Sequence, residues 1–142
     1  MAPHSNSLPL RILHLEDSTA DHELARLTLR RAGLGHTLHR VDTLEGFRDS
    51  LGQESFDVVL ADYNLPGFTA LDAWALISGQ SGHPPFILLS GAIGEAAAVD
   101  AMRLGIADYV LKDEIARLPH VIERAREVRE ARIAREQAVQ EL

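Results

Sequence analysis

The 142-residue chain has no cysteine, which excludes thiolate metal sites, disulfides and cysteine nucleophiles, and predicts a reducing setting. No apolar run approaches the roughly 20 residues that span a bilayer. Met1 to Pro9 has neither a basic region nor an apolar signal core, so a cytoplasmic chain without a membrane partner is expected. An excess of basic charge is also missing. The formal net charge is -7, whereas neutralising nucleic-acid phosphates requires clustered Lys and Arg, so no direct nucleic-acid contact is expected. The turn Glu16-Asp17-Ser18-Thr19 lacks the glycines whose backbone amides would cradle a phosphate, which argues against a flavin or nucleotide site there.

What is present fits one folded domain. A chain of this length buries about two-thirds of its unfolded surface. A composition of 46% apolar and 25% charged residues is globular rather than disordered, fibrous or membrane-embedded. Five short runs have strand character: Leu10 to Leu15, Thr37 to Val41, Phe56 to Ala61, Phe86 to Leu89 and Ala107 to Leu111. Helix-length segments lie between them at Ser18 to Ala32, Leu44 to Gln53, Ala70 to Ser78 and Glu95 to Leu104, and a last one begins near Ile115. This alternation predicts an α/β fold with a doubly wound, five-stranded, mostly parallel sheet covered on both faces. Ser18, with Asp21 three positions later, predicts a helix cap, and Gly33 predicts that helix's end. Pro66-Gly67 and Pro84-Pro85 interrupt any helix running into the next element.

In a sheet of this kind ligands bind beyond the carboxyl ends of the strands, where Glu16, Asp17, Asp62, Ser90 and Lys112 all fall. Mg²⁺ keeps several waters and takes one or two carboxylates plus phosphate oxygens. Asp17 and Asp62 are therefore expected as direct ligands and Glu16 as a water-mediated one, with Mn²⁺ as the substitute ion. Without a cation each close carboxylate pair costs about 4 kcal/mol at an effective dielectric near 20, so the trio should hold a cation or shift a pKa. The plainer alternative for Glu16 and Asp17, capping and dipole complementation of the next helix, leaves Asp62 and Lys112 unexplained.

Four strings carry a family resemblance: Ile12-Leu13-His14-Leu15-Glu16-Asp17, then Asp57-Val58-Val59-Leu60-Ala61-Asp62-Tyr63-Asn64-Leu65-Pro66-Gly67, then Ile87-Leu88-Leu89-Ser90-Gly91, and Gly105-Ile106-Ala107-Asp108-Tyr109-Val110-Leu111-Lys112. In this order they resemble the receiver domain of bacterial two-component response regulators, over about residues 9 to 128. The resemblance implies the flavodoxin-like strand order 2-1-3-4-5. It further implies that Asp62 accepts a phosphoryl group from a phosphohistidine on a histidine kinase or phosphotransfer protein, in a Mg²⁺-dependent reaction held by Glu16, Asp17, Asp62 and the backbone carbonyl of Asn64. Lys112 and Ser90 would bind phosphoryl oxygens, Ser90 and Tyr109 would relay the switch, and Asn64 and Ala92 would tune its lifetime. On this reading the chain is a signalling domain rather than an enzyme beyond its own phosphorylation and dephosphorylation.

Two positions depart from the family pattern. Proline commonly follows the lysine in receivers, often through a cis bond, but Asp113 follows Lys112 here. A non-proline cis bond costs about 2.5 to 4 kcal/mol, so a trans bond or a rearranged loop is expected. Glu16 stands where Asp is commoner, a change compatible with a water-mediated role. Of the seven histidines, only His22, close after Asp17, is placed to approach the acidic pocket. The others are expected to be structural or solvated.

After Pro119 the chain runs to Leu142 without Gly or Pro, with Arg126-Glu130 and Arg132-Glu136 spaced for helix-surface pairing. This divides the chain into a tail at 1-8, the receiver at 9-128 and an extension of the last helix at 129-142. The extension is either a solvated helix end or a linker or dimerisation helix. Its apolar line, Val121, Ala125, Val128, Val139 and Leu142, keeps coiled-coil spacing only if Arg132 and Arg135 fill a gap. The partners expected are a kinase, a downstream output domain or protein, and a second copy through the last two helices. Two alternatives stay open: a Mg²⁺-dependent phosphohydrolase of similar fold, although Asn64 stands where its second Asp would be, and a receiver-like interaction module that is not phosphorylated.

Overall fold

The computed structural model describes residues 8–91 and 95–141. The elements follow in the order β1 (Leu10–Leu15), α1 (Thr19–Arg31), β2 (His36–Val41), α2 (Leu44–Gln53), β3 (Val58–Ala61), a hairpin of β4 (Asn64–Leu65) and β5 (Phe68–Thr69), and α3 (Ala70–Ile77). They continue with β6 (Phe86–Ser90), α4 (Glu95–Arg103), β7 (Asp108–Leu111), a 3₁₀ turn (Lys112–Arg117) and α5 (Leu118–Glu141). The main sheet runs β2-β1-β3-β6-β7 with every pair parallel. Leaving out the hairpin strands, this is the expected order 2-1-3-4-5.

Side chains alternate across the strands and build a core on each face of the sheet. Leu13, Leu15, Val59, Ala61 and Leu88 face one way, against Phe47 of α2 and Trp74 and Ile77 of α3. Ile12, Val58, Leu60, Ile87 and Val110 face the other way, against Leu29 of α1 and Val121 and Ile122 of α5. β3 and β6 are buried throughout, whereas the edge strand β2 alternates between half-buried and exposed. Uniformly apolar strands in the middle and a mixed one at the edge are what a sheet covered on both sides requires.

Local chemistry sets the boundaries. The Ser18 hydroxyl accepts from the Asp21 amide at 3.1 Å, and α1 ends where Gly33 takes φ 75° and the Leu34 amide reaches back to the Leu29 carbonyl at 3.1 Å. A capping box at Thr69 and Asp72 starts α3, with the Thr69 amide donating to Asp72 at 3.0 Å. No cis peptide bond occurs among the described residues. At Lys112 the chain turns directly into the 3₁₀ segment, and Asp113 follows Lys112 through a trans bond.

The apolar line of the last helix does not form one stripe. Val121 and Ala125 are buried in the core, whereas Val128 and Val139 are 63% and 70% exposed; Leu142 lies outside the described residues. Beyond Ala125 the helix is tied back by Arg129, whose Nη2 donates to the Gly82 carbonyl at 2.8 Å.

Candidate functional site

Sheet register brings the acidic residues together. Leu15 pairs with Ala61, and the next residues extend the ladder: the Asp62 amide donates to the Leu15 carbonyl at 3.0 Å and the Glu16 amide to the Val41 carbonyl at 2.9 Å. Glu16, Asp17 and Asp62 each present a carboxylate oxygen, all within 4.8 Å of one another. Lys112 follows β7, whose Leu111 lies beside Ser90. Its ammonium reaches across to Asp21 at 2.7 Å, Glu16 at 2.9 Å and Asp62 at 3.3 Å.

Burial makes these charges interact strongly. Glu16 is 1% exposed, and that desolvation raises its pKa above the usual carboxylate value, against hydrogen bonds from Lys112 and the Ser18 amide that favour the ion. Burial disfavours the Lys112 charge too, but hydrogen bonds to Asp21 and Glu16 and the fields of Glu16 and Asp62 outweigh it and hold the ammonium above its ordinary value. The two directions pull oppositely on one ion pair. The reason is unequal division: Glu16 loses nearly all its hydration and receives a share of one ammonium, whereas Lys112 is met by three carboxylates. Glu16, Asp17, Asp21 and Asp62 against Lys112 leave four negative charges to one positive. Oxygen donors only, clustered closely and short of positive charge, fit a hard divalent cation such as Mg²⁺.

The other expected site residues occupy different surroundings. Ser90 is 4% exposed at the end of β6, yet it is not among the hydrogen-bond partners of Lys112. Tyr109 is half-buried and packs on the core face that holds Phe47 and Trp74. Asn64 is exposed at the start of β4; Ala92 lies outside the described residues. Asp113 is exposed and takes no part in the cluster.

Sequence reasoning missed Asp21, which it assigned to a reciprocal cap with Ser18. Only the Asp21 amide caps; the Ser18 amide is satisfied by Glu16 at 3.1 Å, which frees the Asp21 carboxylate for Lys112. A carboxylate in the first turn after β1, four residues beyond Asp17, was the available signal. His22 does not join the acidic pocket. Its Nδ1 lies 3.0 Å from Nδ1 of His14, with the rings stacked at 5.2 Å. His14 is fully buried, its Nε2 has no partner, and burial followed by the charges of His22, Lys112 and Arg40 lowers its pKa to about 3.

A shallow hollow of about 520 Å³ adjoins the acidic cluster, lined by Asp17, Thr43, Pro66 and Phe68 among others. Another, of about 500 Å³ and lined by Phe86, Asp108, Val121 and Arg129 among others, opens at the amino ends of β6 and β7, the far end of the sheet from the carboxylates.

The chain is similar to known proteins. The response regulator receiver domain family matches residues 12–123. The chain is 35% identical over 102 residues to the response regulator protein FleR of Pseudomonas aeruginosa, covering 72% of this chain and 21% of that protein. It is 31% identical over 112 residues to the transcriptional regulatory protein FixJ of Bradyrhizobium diazoefficiens, covering 78% of this chain and 54% of that protein. It therefore spans about a fifth of one relative and about half of the other. Among solved structures, a sensor protein from a Polaromonas species superposes with TM-score 0.74 at 18% identity, covering 84% of this chain and 98% of that one. The chemotaxis response regulator CheY4 of Vibrio cholerae gives TM-score 0.67 at 16% identity, covering 81% and 99%. These two likenesses show the fold.

Proposed function

Starting from the fact that this chain belongs to the response regulator receiver domain family of two-component signalling, we propose that Asp62 is its phosphoacceptor. The observation that carries this reading is the convergence on Asp62 of a cation-binding carboxylate cluster and the Lys112 ammonium at 3.3 Å. Phosphoryl transfer needs positioning and charge neutralisation more than covalent chemistry from the protein, and these groups supply both. A carboxylate oxygen of Asp62 forms a bond to phosphorus as the phosphorus–nitrogen bond of a partner phosphohistidine breaks; the imidazole nitrogen keeps the bonding pair and takes up a proton. Asp17, Asp62 and the Asn64 carbonyl would hold Mg²⁺ directly and Glu16 through water. The ion, when bound, neutralises phosphoryl charge. Lys112 binds a phosphoryl oxygen, and the Ser90 hydroxyl follows the group once it arrives.

Output then depends on Ser90 and Tyr109. A phosphoryl group shifts a conformational equilibrium only by its differential affinity for the two states. Movement of the buried Ser90 hydroxyl toward it would leave room for the Tyr109 ring to turn further inward. Asn64, exposed beside the acceptor, and Ala92 would set how long the phosphoryl group survives attack by water. Residues 9-128 form the receiver and 129-142 a signalling or dimerisation extension. Receivers of this family act with histidine kinases and output domains, and the extension is the segment through which such a domain or a second copy would couple.

The test is incubation of the protein with Mg²⁺ and a small phosphodonor, read by intact mass. One added phosphate in the wild type and none in Asp62→Asn is expected. Continuous donor turnover without a phosphorylated species would favour a hydrolase, and binding of Mg²⁺ without phosphorylation would favour an interaction module.

A further inference from the structure

We propose that Asp21 is a positioning residue that holds the Lys112 ammonium toward α1 and releases it when the phosphoryl group arrives, an inference that rests on Asp62 being the acceptor. An ammonium has three donor hydrogens, and Lys112 has three carboxylate partners, at 2.7 Å (Asp21), 2.9 Å (Glu16) and 3.3 Å (Asp62). The shortest contact is to the residue outside the acceptor cluster and the longest is to the acceptor. Asp21 supplies no oxygen to the group of three carboxylates that fits a cation, so Lys112 is the group its carboxylate engages. Its backbone is fixed by the Ser18 cap at 3.1 Å, which makes the contact a built one.

A phosphorylated Asp62 presents new anionic oxygens to a lysine that has no spare donor. One existing contact must then be given up. The side chains of Glu16 and Asp62 are 1% and 14% exposed, whereas that of Asp21 is 39% exposed, so Asp21 alone is readily rehydrated on release. Losing a buried partner without a substitute would cost far more. Asp21 therefore sets how easily Lys112 is recruited. Its negative charge also opposes an incoming phosphoanion, in the same direction.

Asp21→Asn keeps the size and the backbone cap while removing the charge. With saturating Mg²⁺ and acetyl phosphate it should raise the phosphorylation rate about two- to fivefold, the range of a partly exposed ion pair. Asp21→Glu should restore the slower rate. Because the cap uses the Asp21 amide, melting temperature should stay within about 2 °C. A second readout needs neither metal nor phosphate: the Lys112 ammonium resonance of the metal-free protein, protected from exchange in the wild type and exchange-broadened in Asp21→Asn. An unmoved resonance, or an unchanged or slower rate, overturns the proposal. If wild type takes up no phosphate, the reading of Asp62 fails instead. The resonance then still decides the contact: broadened in Asp21→Asn, Asp21 holds the lysine; unchanged, it does not.

Discussion

Protonation of His14 is incompatible with its place in the fold, and this makes acid sensitivity a quantitative test. The imidazole is fully buried, and its pKa is lowered from 6.5 to about 3. A base whose pKa is depressed on folding contributes stability that is present above its unfolded pKa and is lost as pH falls toward its folded one. The window here runs from pH 6.5 down to about 3. At about pH 5 the unfolded chain binds nearly one more proton than the folded chain at this residue, and folding loses about 2 kcal/mol relative to pH 7.5. For a domain of this size that lowers the melting temperature by about 7 °C. The assay is calorimetry with a chelator present, comparing the wild type with His14→Leu at both pH values. The fall on acidification should be about 7 °C larger in the wild type, since other groups contribute to both proteins. Equal falls, or a His14 proton resonance titrating near its unfolded value, would refute the reasoning.

Glu16→Gln should weaken Mg²⁺ binding about tenfold, by loss of a charged supporting group, as measured by titration calorimetry. In chelator at neutral pH the same variant should melt higher than wild type, because burial raises the Glu16 pKa and such a group loses stability as pH rises through its folded value. That advantage should shrink as pH falls toward the ordinary carboxylate range, and a constant gap would count against it. Gly105→Ala should lose about 2 kcal/mol in urea unfolding followed by Trp74 fluorescence. Gly105 takes φ 103°, and an added Cβ would lie 3.1 Å from the Trp74 ring; unchanged stability would mean that the loop moves freely.

Periodicity and punctuation disclosed the sheet because its strands are short, apolar and separated by helix-length segments. Strand ends at Leu15, Ala61 and Leu111 came within reach of sequence alone, and with them the positions of Glu16, Asp62 and Lys112. The hairpin of Asn64–Leu65 and Phe68–Thr69 was legible only as a turn, since two-residue strands carry no alternation. Asp21 and the His14–His22 pair were hidden for a different reason. Each has a sufficient local explanation, a cap or a lone histidine, and the tertiary partner that overrides it is fixed by how α1 lies against β1, for His22, and against the turn after β7, for Asp21. The end of the last helix shows the converse. Its apolar spacing runs past Ala125, but the sheet it covers does not, so Val128 and Val139 stay in solvent.

The central claim is that Asp62 carries the phosphoryl group, and reductive trapping tests it most directly. An aspartyl phosphate is an activated acyl group that borohydride reduces to an alcohol, whereas free carboxylates are left intact. Protein treated with phosphodonor and Mg²⁺, reduced and sequenced by mass spectrometry should show homoserine at position 62 and Asp at positions 17 and 21. Reduction at another carboxylate, or none at all in protein shown to bind Mg²⁺, would contradict the account.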